Sequence, residues 1–261
     1  MPAVLYSASD RIGVITLNRP EARNAVNREM AIGLEAAVDR LEADPDAWVG
    51  VLAANTGEQA NPVFCAGADL KVIQETGSAA ALDTDRGGFG GFVYRTRTKP
   101  IVVAVDGLAT AGGLEIVLAA DIVVATTRSA FGLAEVRRNL IAAAGGLFRL
   151  PRAIGRGPAL DAILTGEPIA APRAYDLGLV SRLVGPGEAL DEAMRLAGQI
   201  AEAAPLAVRA SREVVLASAH DDDATLRRDS RAMLDALLES EDAAEGLAAF
   251  AEKRPPQWQG R

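Results

Sequence analysis

A single glutamate stands inside an otherwise apolar segment near the middle of the chain. The segment is "ATAGGLEIVLAAD", residues 109–121, in which Glu115 follows Gly112 by three positions. A carboxylate buried among apolar side chains is unfavourable unless it is paired or protonated. The glutamate therefore indicates acid–base chemistry, and the glycines before it indicate a backbone that a ligand can approach closely.

Two segments share this arrangement of small residues running into a predicted helix. They are "FCAGADLK", residues 64–71, and "ATAGGLE", residues 109–115. The first amides of a helix lack intrahelical acceptors, and the helix dipole makes that end attractive to negative charge. Two such amide sources aimed at one point would form an oxyanion hole. The alternative is that the glycines only cap helices and the alanines only fill space.

The remaining residue types exclude several other kinds of site. The chain has one histidine, His220, and one cysteine, Cys65. This excludes a serine–histidine–acid triad in practice and the common zinc sites, so no metal is expected. No phosphate-binding P-loop signature occurs, and "GGFGGF" at 87–92 does not follow a strand as a dinucleotide-binding fingerprint would. Carboxylates and backbone amides are what is left for catalysis.

Composition predicts an ordinary globular protein. The chain has 261 residues, of which 49% are hydrophobic and 24% charged, and its formal net charge is −8. The acidic balance argues against nucleic acid as a partner. No apolar run is long enough to span a membrane, and the N-terminal segment does not resemble a signal peptide. A single cysteine is typical of a reducing compartment, so we expect a cytoplasmic protein with no membrane partner.

The hydrophobic pattern predicts an α/β fold with mainly parallel strands. Continuous apolar runs such as "IVVAV" and "DIVVAT" are typical of strands covered on both faces, and helical periodicity separates them. After "LVGPGE" no strand is predicted, and the chain continues as helices rich in Ala, Leu, Arg and Glu. We therefore expect an α/β core at 1–184 and a helical region at 185–261.

Motifs in a specific order give the chain a family resemblance. It resembles the enoyl-CoA hydratase/isomerase (crotonase) family over essentially its whole length. The motifs that carry the resemblance are "NRPEARNAV", "FCAGADLK", "KPIVVAVDGLATAGGLEIVLAADIVVAT", "SAFGLAEV", "GGLFRLPRAIG" and "EKRPPQWQGR". The resemblance implies a spiral of ββα turns followed by helices that form a homotrimer, commonly as a dimer of trimers.

The resemblance also implies residue roles. The amides of Ala68 and Gly112 would hold the thioester oxygen of an acyl-CoA substrate, and Glu115 and Glu135 would be the two catalytic glutamates. Contacts with coenzyme A, which is part of the substrate and not a cofactor, are implied for six positions: Arg23, Ala66, Ala68, Asp69, Leu70 and Lys71. No further cofactor is expected. Arg23 and Lys71 could equally be solvated surface cations, and Glu135 a surface charge.

A pair of glutamates is the pattern of the family's hydratases. The expected reaction is the reversible hydration of 2-enoyl-CoA thioesters to 3-hydroxyacyl-CoA, a lyase activity of fatty-acid metabolism. Three alternatives remain open: an enoyl-CoA isomerase, a crotonobetainyl-CoA hydratase and an acyl-CoA-binding paralogue without turnover. "GGFGGF" and "GGLFRLP" resemble the carnitinyl-CoA dehydratase branch. Leu133 and the "IAAAGG" stretch depart from many hydratases next to the acyl pocket, so chain-length preference stays open.

Overall fold

The computed structural model describes all 261 residues, which form twelve strands and ten α-helices. The strands are β1 Val4–Ser9, β2 Ile12–Leu17, β3 Val49–Ala54, β4 Val63–Cys65, β5 Asp83–Thr84, β6 Gly88–Phe89, β7 Ile101–Val105, β8 Leu108–Thr110, β9 Ile122–Thr126, β10 Ala130–Gly132, β11 Ile169–Ala170 and β12 Arg182–Val184. The helices are α1 Arg28–Ala43, α2 Leu70–Thr76, α3 Gly112–Ala119, α4 Gly146–Ile154, α5 Arg156–Thr165, α6 Ala171–Asp176, α7 Ala189–Ala201, α8 Pro205–Ala217, α9 Asp223–Leu238 and α10 Glu241–Glu252.

Ten of the strands form two sheets, and each turn of the chain visits both. The main sheet has the order β1-β2-β3-β7-β9-β12, and the second sheet has the order β11-β10-β8-β4. Within these sheets all neighbours are parallel except β1 with β2 and β10 with β11, and β5 and β6 form a separate antiparallel pair. The turns β3–β4–α2 and β7–β8–α3 each run from the main sheet to the second sheet and into a helix. The expected α/β spiral of ββα turns is therefore present.

The main sheet is buried on both faces, which explains its continuous apolar strands. Along β7, Ile101, Val103 and Val105 belong to a core cluster of 37 residues. The alternate residues Val102 and Ala104 belong to a second cluster of 13 residues that includes one face of α7. Because successive side chains of a strand point to opposite faces, neither face can be polar.

Helix α1 covers the first of these faces, and its ends follow standard capping rules. The Asn27 side chain accepts a hydrogen bond from the Met30 amide at 2.9 Å, which caps the helix. Leu34, Val38 and Leu41 recur at three- and four-residue steps and are fully buried. Helix α1 therefore begins directly after its Asn27 cap and turns one apolar face to the core.

The segment at 87–92 follows a backbone path that only glycine permits. A Cβ on Gly87 would lie 2.2 Å from the carbonyl oxygen of Gly91, and one on Gly91 would lie 2.2 Å from the carbonyl oxygen of Ala31. Gly91 also has φ +67. The "GGFGGF" run thus lets this segment press against α1 while it carries Phe89 towards α3, where a Cβ on Gly112 would lie 2.4 Å from the Phe89 ring.

The last strand ends at Val184, and the helices beyond it fall into two groups. Helix α7 packs on the main sheet as part of the second core cluster. Helices α8 and α9 bury almost nothing, with Pro205 the only buried residue in either. The division into 1–184 and 185–261 stays a prediction about domains. None of the helices combines the length and apolar character that crossing a membrane requires.

An ion cluster fastens α8 to the core. Asp121, at the start of β9, accepts a hydrogen bond from the Ile101 amide at 2.7 Å and from Nε of Arg212 at 2.9 Å. Its carboxylate also lies 3.6 Å from Nη2 of Arg97, whose side chain is 4% exposed. One carboxylate thus balances two guanidinium groups from two different parts of the chain.

We expect the substitution Asp121→Ala to lower the free energy of unfolding by about 3–5 kcal/mol, because it leaves two largely buried arginines without their counter-charge. Denaturant titration measures this. The matched control is Asp229→Ala, which removes an exposed carboxylate paired only with its neighbour Arg228; it should change the free energy by less than about 1 kcal/mol. Equal effects of the two substitutions would contradict the prediction.

Candidate active site

The two glycine-containing segments meet at the ends of two adjacent parallel strands. Strands β4 and β8 pair in parallel, with Cys65 opposite Ala109, so the residues that follow them leave the same edge of the second sheet. A Cβ on Gly67 would lie 2.9 Å from the Gly112 amide nitrogen, and one on Gly113 would lie 2.2 Å from the Cys65 carbonyl oxygen. The glycines are required because the two backbones touch.

Two amides are free at this junction. Gly112 is the first residue of α3, so its amide has no intrahelical acceptor. The Ala68 amide donates no hydrogen bond within the chain, whereas its flanking groups are bonded to Val26: the Gly67 carbonyl oxygen accepts from the Val26 amide, and the Asp69 amide donates to the Val26 carbonyl oxygen. Both amides are therefore free to donate to a ligand.

The Ala68 amide does not belong to the start of a helix, which differs from the prediction. Helix α2 begins at Leu70 with Asp69 as its cap, so Ala68 lies before the helix and not in its first turn. An isolated bridge to Val26 holds Ala68 in extended backbone. Its orientation therefore comes from strand-like pairing with the segment before α1, and only Gly112 matches the predicted helix start.

Ala111, the residue directly before the Gly112 amide, has a strained backbone conformation. Its φ is 51 and its ψ is −127, a combination that side chains other than glycine rarely adopt. The Ala111 amide donates to the Gly132 carbonyl oxygen at 2.8 Å, and its own carbonyl accepts from Leu114 and Glu115. These bonds turn the chain sharply from β8 into α3. Strain of this kind is concentrated at functional sites.

Glu115 is buried in the first turn of α3. The residue is 3% exposed, and its Oε1 accepts a hydrogen bond from the Gly146 amide at 2.9 Å. The pKa of Glu115 is raised to about 7, mainly by burial and to a smaller extent by the nearby Glu135. The Gly146 amide, the backbone of Ala144 and the charge of Arg149 act in the opposite direction.

Glu135 begins a 3₁₀ helix that follows β10, Glu135–Arg138. Its Oε2 is buried and has no hydrogen-bond partner. Burial raises the pKa of the Glu135 carboxyl, against the opposing effects of its own amide and of Arg138. An unpartnered buried carboxyl oxygen is rare unless a ligand or water uses it. The structure thus brings Glu115 and Glu135 close together, and the pKa of each carboxyl is raised.

The residues expected to contact coenzyme A lie together at the outer edge of the junction. The Ala66 amide donates to the Arg23 carbonyl oxygen at 3.1 Å, which places Arg23 beside the Ala66–Lys71 segment. Arg23, Leu70 and Lys71 are exposed. Asp69 differs, because its carboxylate caps α2 and forms an ion pair with Arg19 at 3.3 Å.

Several residues around the site were not predicted. Gly146 bonds to Glu115, Arg149 lies close to it, and Phe89 covers Gly112. The motif "GGLFRLPRAIG" contributed only to the resemblance, and nothing in it indicated a contact with Glu115, 31 residues earlier. No group of three or more His, Cys, Asp or Glu side chains is arranged to hold a metal ion.

Comparisons with known proteins identify the family of the chain. Residues 7–261 match the family model described as enoyl-CoA hydratase/isomerase. The chain is 38% identical to (E)-benzylidenesuccinyl-CoA hydratase of Thauera aromatica over all of both chains. It is 37% identical to carnitinyl-CoA dehydratase of Salmonella arizonae over 94% of each.

Solved structures give the same family and fold. The crystal structure of an enoyl-CoA hydratase from Mycobacterium tuberculosis H37Rv superposes with a TM-score of 0.93, at 42% identity and with all of both chains covered. An enoyl-CoA hydratase from Mycobacterium marinum gives the same values. The resemblance stated from the motifs is confirmed. The chain belongs to the enoyl-CoA hydratase/isomerase family and is a crotonase-fold enzyme.

Proposed function

We propose that this enzyme is a hydro-lyase that reversibly adds water to 2-enoyl-CoA thioesters, giving 3-hydroxyacyl-CoA. The observation that carries the proposal is the pair of neighbouring carboxyls, buried Glu115 and partly buried Glu135, beside two free amides. Burial raises the pKa of both carboxyls, and the charge of Glu135 adds to the effect at Glu115. When one carboxyl is protonated and the other is ionised, the pair offers an acid and a base at once.

The amides of Ala68 and Gly112 stabilise the charge that the reaction creates. When water attacks carbon 3 of the enoyl group, the π electrons move through carbon 2 to the thioester oxygen, which becomes enolate-like. Two fixed amides aimed at that oxygen act mainly in the transition state. The closeness of Gly67 to the Gly112 nitrogen supports a single oxygen bound by both segments.

The two glutamates divide the proton transfers. The ionised Glu115 orients the water and accepts its proton while the oxygen bonds to carbon 3. The protonated Glu135 then delivers a proton to carbon 2, and its free Oε2 supports that assignment. In the dehydration direction the roles reverse, so each group acts as acid and as base. These reaction steps need no metal and no redox cofactor.

Coenzyme A occupies the outer edge of the junction in this proposal. The Ala66 carbonyl would lie near the adenine, and the backbone from Ala68 to Lys71 along the pantetheine. Arg23 and Lys71 are exposed cations on either side of that path and suit the phosphates. Their exposure supports this assignment because each can turn towards a bound anion without breaking an ion pair.

An isomerase is the second candidate function, because the family includes both activities. Moving a double bond between positions 3 and 2 needs one base to carry one proton. The buried state of Glu115 argues for hydration, since an isomerase would have no use for a second carboxyl held at 3% exposure.

The acyl group is the least determined part of the substrate. The two relatives named above act on benzylidenesuccinyl-CoA and carnitinyl-CoA, both of which carry a charged group in the acyl part. We therefore include polar acyl groups, crotonobetainyl-CoA among them, in the proposed substrate range.

A homotrimer, or a dimer of trimers, is the proposed assembly. Helices α8 and α9 form an apolar groove that no part of the chain covers, lined by Leu206, Ala210, Met233, Ala236 and Leu237. The neighbouring Leu238 and Phe250 are 61% and 87% exposed. Apolar surface of this extent is typical of a subunit interface, and a second copy of the chain is the proposed occupant.

For the reaction, we expect Glu115→Gln and Glu135→Gln each to lower kcat by at least about 100-fold, because each removes one partner in proton transfer. The assay follows loss of the enoyl-thioester absorbance and identifies the product by mass. The panel contains crotonyl-CoA, crotonobetainyl-CoA and (E)-benzylidenesuccinyl-CoA. The control Glu58→Gln changes an exposed loop residue and should leave kcat unchanged.

The outcomes separate the candidates. Large losses from both substitutions, with a product heavier by one water, support hydration. Loss from Glu135→Gln alone, with a product of unchanged mass, would indicate an isomerase. Absence of any turnover by the wild-type protein across the panel would favour the third alternative, an acyl-CoA-binding paralogue without turnover.

For stability, we expect the free energy of unfolding of Glu115→Gln to rise relative to that of the wild type as pH rises. The folded-state pKa of Glu115 is raised from 4.5 to about 7. Its contribution to stability is therefore full below pH 4.5 and is lost as pH rises through 7. A shift of this size corresponds to about 3 kcal/mol. Denaturant titrations at pH 4.5 and pH 8 measure the difference, and a constant gap between the two proteins would contradict it.

For assembly, we expect the wild type to sediment as a trimer or a dimer of trimers, and Leu238→Glu to shift it towards monomers, because the substitution places a charge beside the apolar groove. Leu238→Met is the matched control and should leave the assembly intact. A monomeric wild type at micromolar concentration would refute the proposed assembly.

A further inference from the structure

Arg149 lies in the first turn of α4, and its guanidinium contacts two different segments of the chain. Its Nη2 donates to the Val93 carbonyl oxygen at 2.6 Å, and its Nη1 donates to the Ala144 carbonyl oxygen at 3.2 Å. Val93 follows the glycine-rich segment that carries Phe89, and Ala144 belongs to the loop before α4. The guanidinium therefore connects the wall of the site to the loop beside Glu115.

The loop from 143 to 146 is shaped around this guanidinium. Gly145 has φ +110, and a Cβ there would lie 2.2 Å from Nη1 of Arg149. Tyr94 adds a second tether, because its hydroxyl donates to the Ala143 carbonyl oxygen at 3.1 Å. The loop ends at Gly146, whose amide donates to Glu115. The position of that donor depends on both tethers.

The charge of Arg149 also acts on the carboxyl. The charged groups that face Glu115 are Glu135 from the 3₁₀ helix, which raises its pKa, and Arg149 from α4, which lowers it. Arg138 faces Glu135 but is not among the groups that shift Glu115. The groups that face Arg149 are Tyr94, Glu115, Arg152 and Arg97, and burial lowers the pKa of the guanidinium, which nevertheless stays charged at neutral pH.

We infer that Arg149 is a positioning residue for the reaction: it fixes the loop that presents the Gly146 amide to Glu115, and its positive charge favours the ionised form of that carboxyl. The inference deepens the proposed function and rests on it for its kinetic consequence. The structural part stands on the two carbonyl contacts and on the crowding at Gly145.

Substitution of Arg149 by Gln and by Lys tests the two parts separately. Arg149→Gln removes the charge and the double contact, so kcat should fall by about 10- to 100-fold. The alkaline limb of kcat/KM, where the glutamate pair loses its last proton, should move up by about one pH unit. Arg149→Lys keeps the charge but cannot bridge both carbonyls, so kcat should fall, and the limb should move up by less than in Arg149→Gln because only the Gly146 contact is weakened.

A direct titration makes the result independent of turnover. Infrared difference spectra between each protein and its Glu115→Gln counterpart report protonation of the Glu115 carboxyl as pH is varied. In Arg149→Gln the midpoint should move upward by the same amount as the kinetic limb. If the wild type hydrates none of the thioesters, the proposed function fails, yet this titration still decides the role of Arg149.

Two control variants complete the experiment. Arg152→Gln removes an exposed cation from the same helix and should leave the Glu115 midpoint within about 0.3 unit. Tyr94→Phe removes only the second tether, so kcat should fall about 3- to 10-fold, and the midpoint should move upward by less than in Arg149→Gln. An unshifted midpoint in folded Arg149→Gln, whatever its activity, would overturn the inference, as would an equal shift in Arg152→Gln.

Discussion

The burial of the Glu115 carboxyl is the interaction around which the site is organised. An ionised carboxylate in this position would be strongly unfavourable, so the protein raises its pKa and surrounds it with partial compensation. The Gly146 amide and the Arg149 charge favour ionisation, whereas burial and Glu135 oppose it. These opposing effects hold the pKa of Glu115 at about 7, so the carboxyl can both donate and accept a proton at neutral pH.

The backbone at the junction of β4 and β8 is arranged by close contact between chain segments. Parallel pairing of β4 and β8 brings two chain segments to one edge, and glycines at 67 and 113 let them touch. The strained turn at Ala111 then starts α3, whose first amide belongs to Gly112. These positions are set by strand pairing within the second sheet, whereas the loop that ends at Gly146 is held by the side chains of Arg149 and Tyr94.

Much of this could be predicted from the sequence, because the informative signals were local. The strands β7 and β9 are short apolar runs, α1 carries its apolar residues on one face, and Glu115 stands out by its surroundings. Glu135 was located only by family resemblance. The bridge between Ala68 and Val26 and the contact of Gly146 with Glu115 join residues far apart in sequence. Such contacts are decided by tertiary packing, for which a single sequence gives no local pattern.

The glycine-rich segment at 87–92 has a consequence for how this enzyme can change. Its backbone is pressed against α1 and against itself, with no room for one added carbon at Gly87 or Gly91. Insertions and deletions there would break the contact, although surface connections usually tolerate them. Variation in this segment is therefore restricted to the side chains that it carries, such as Phe89 beside Gly112. In a mutational library Gly87 and Gly91 would tolerate no exchange.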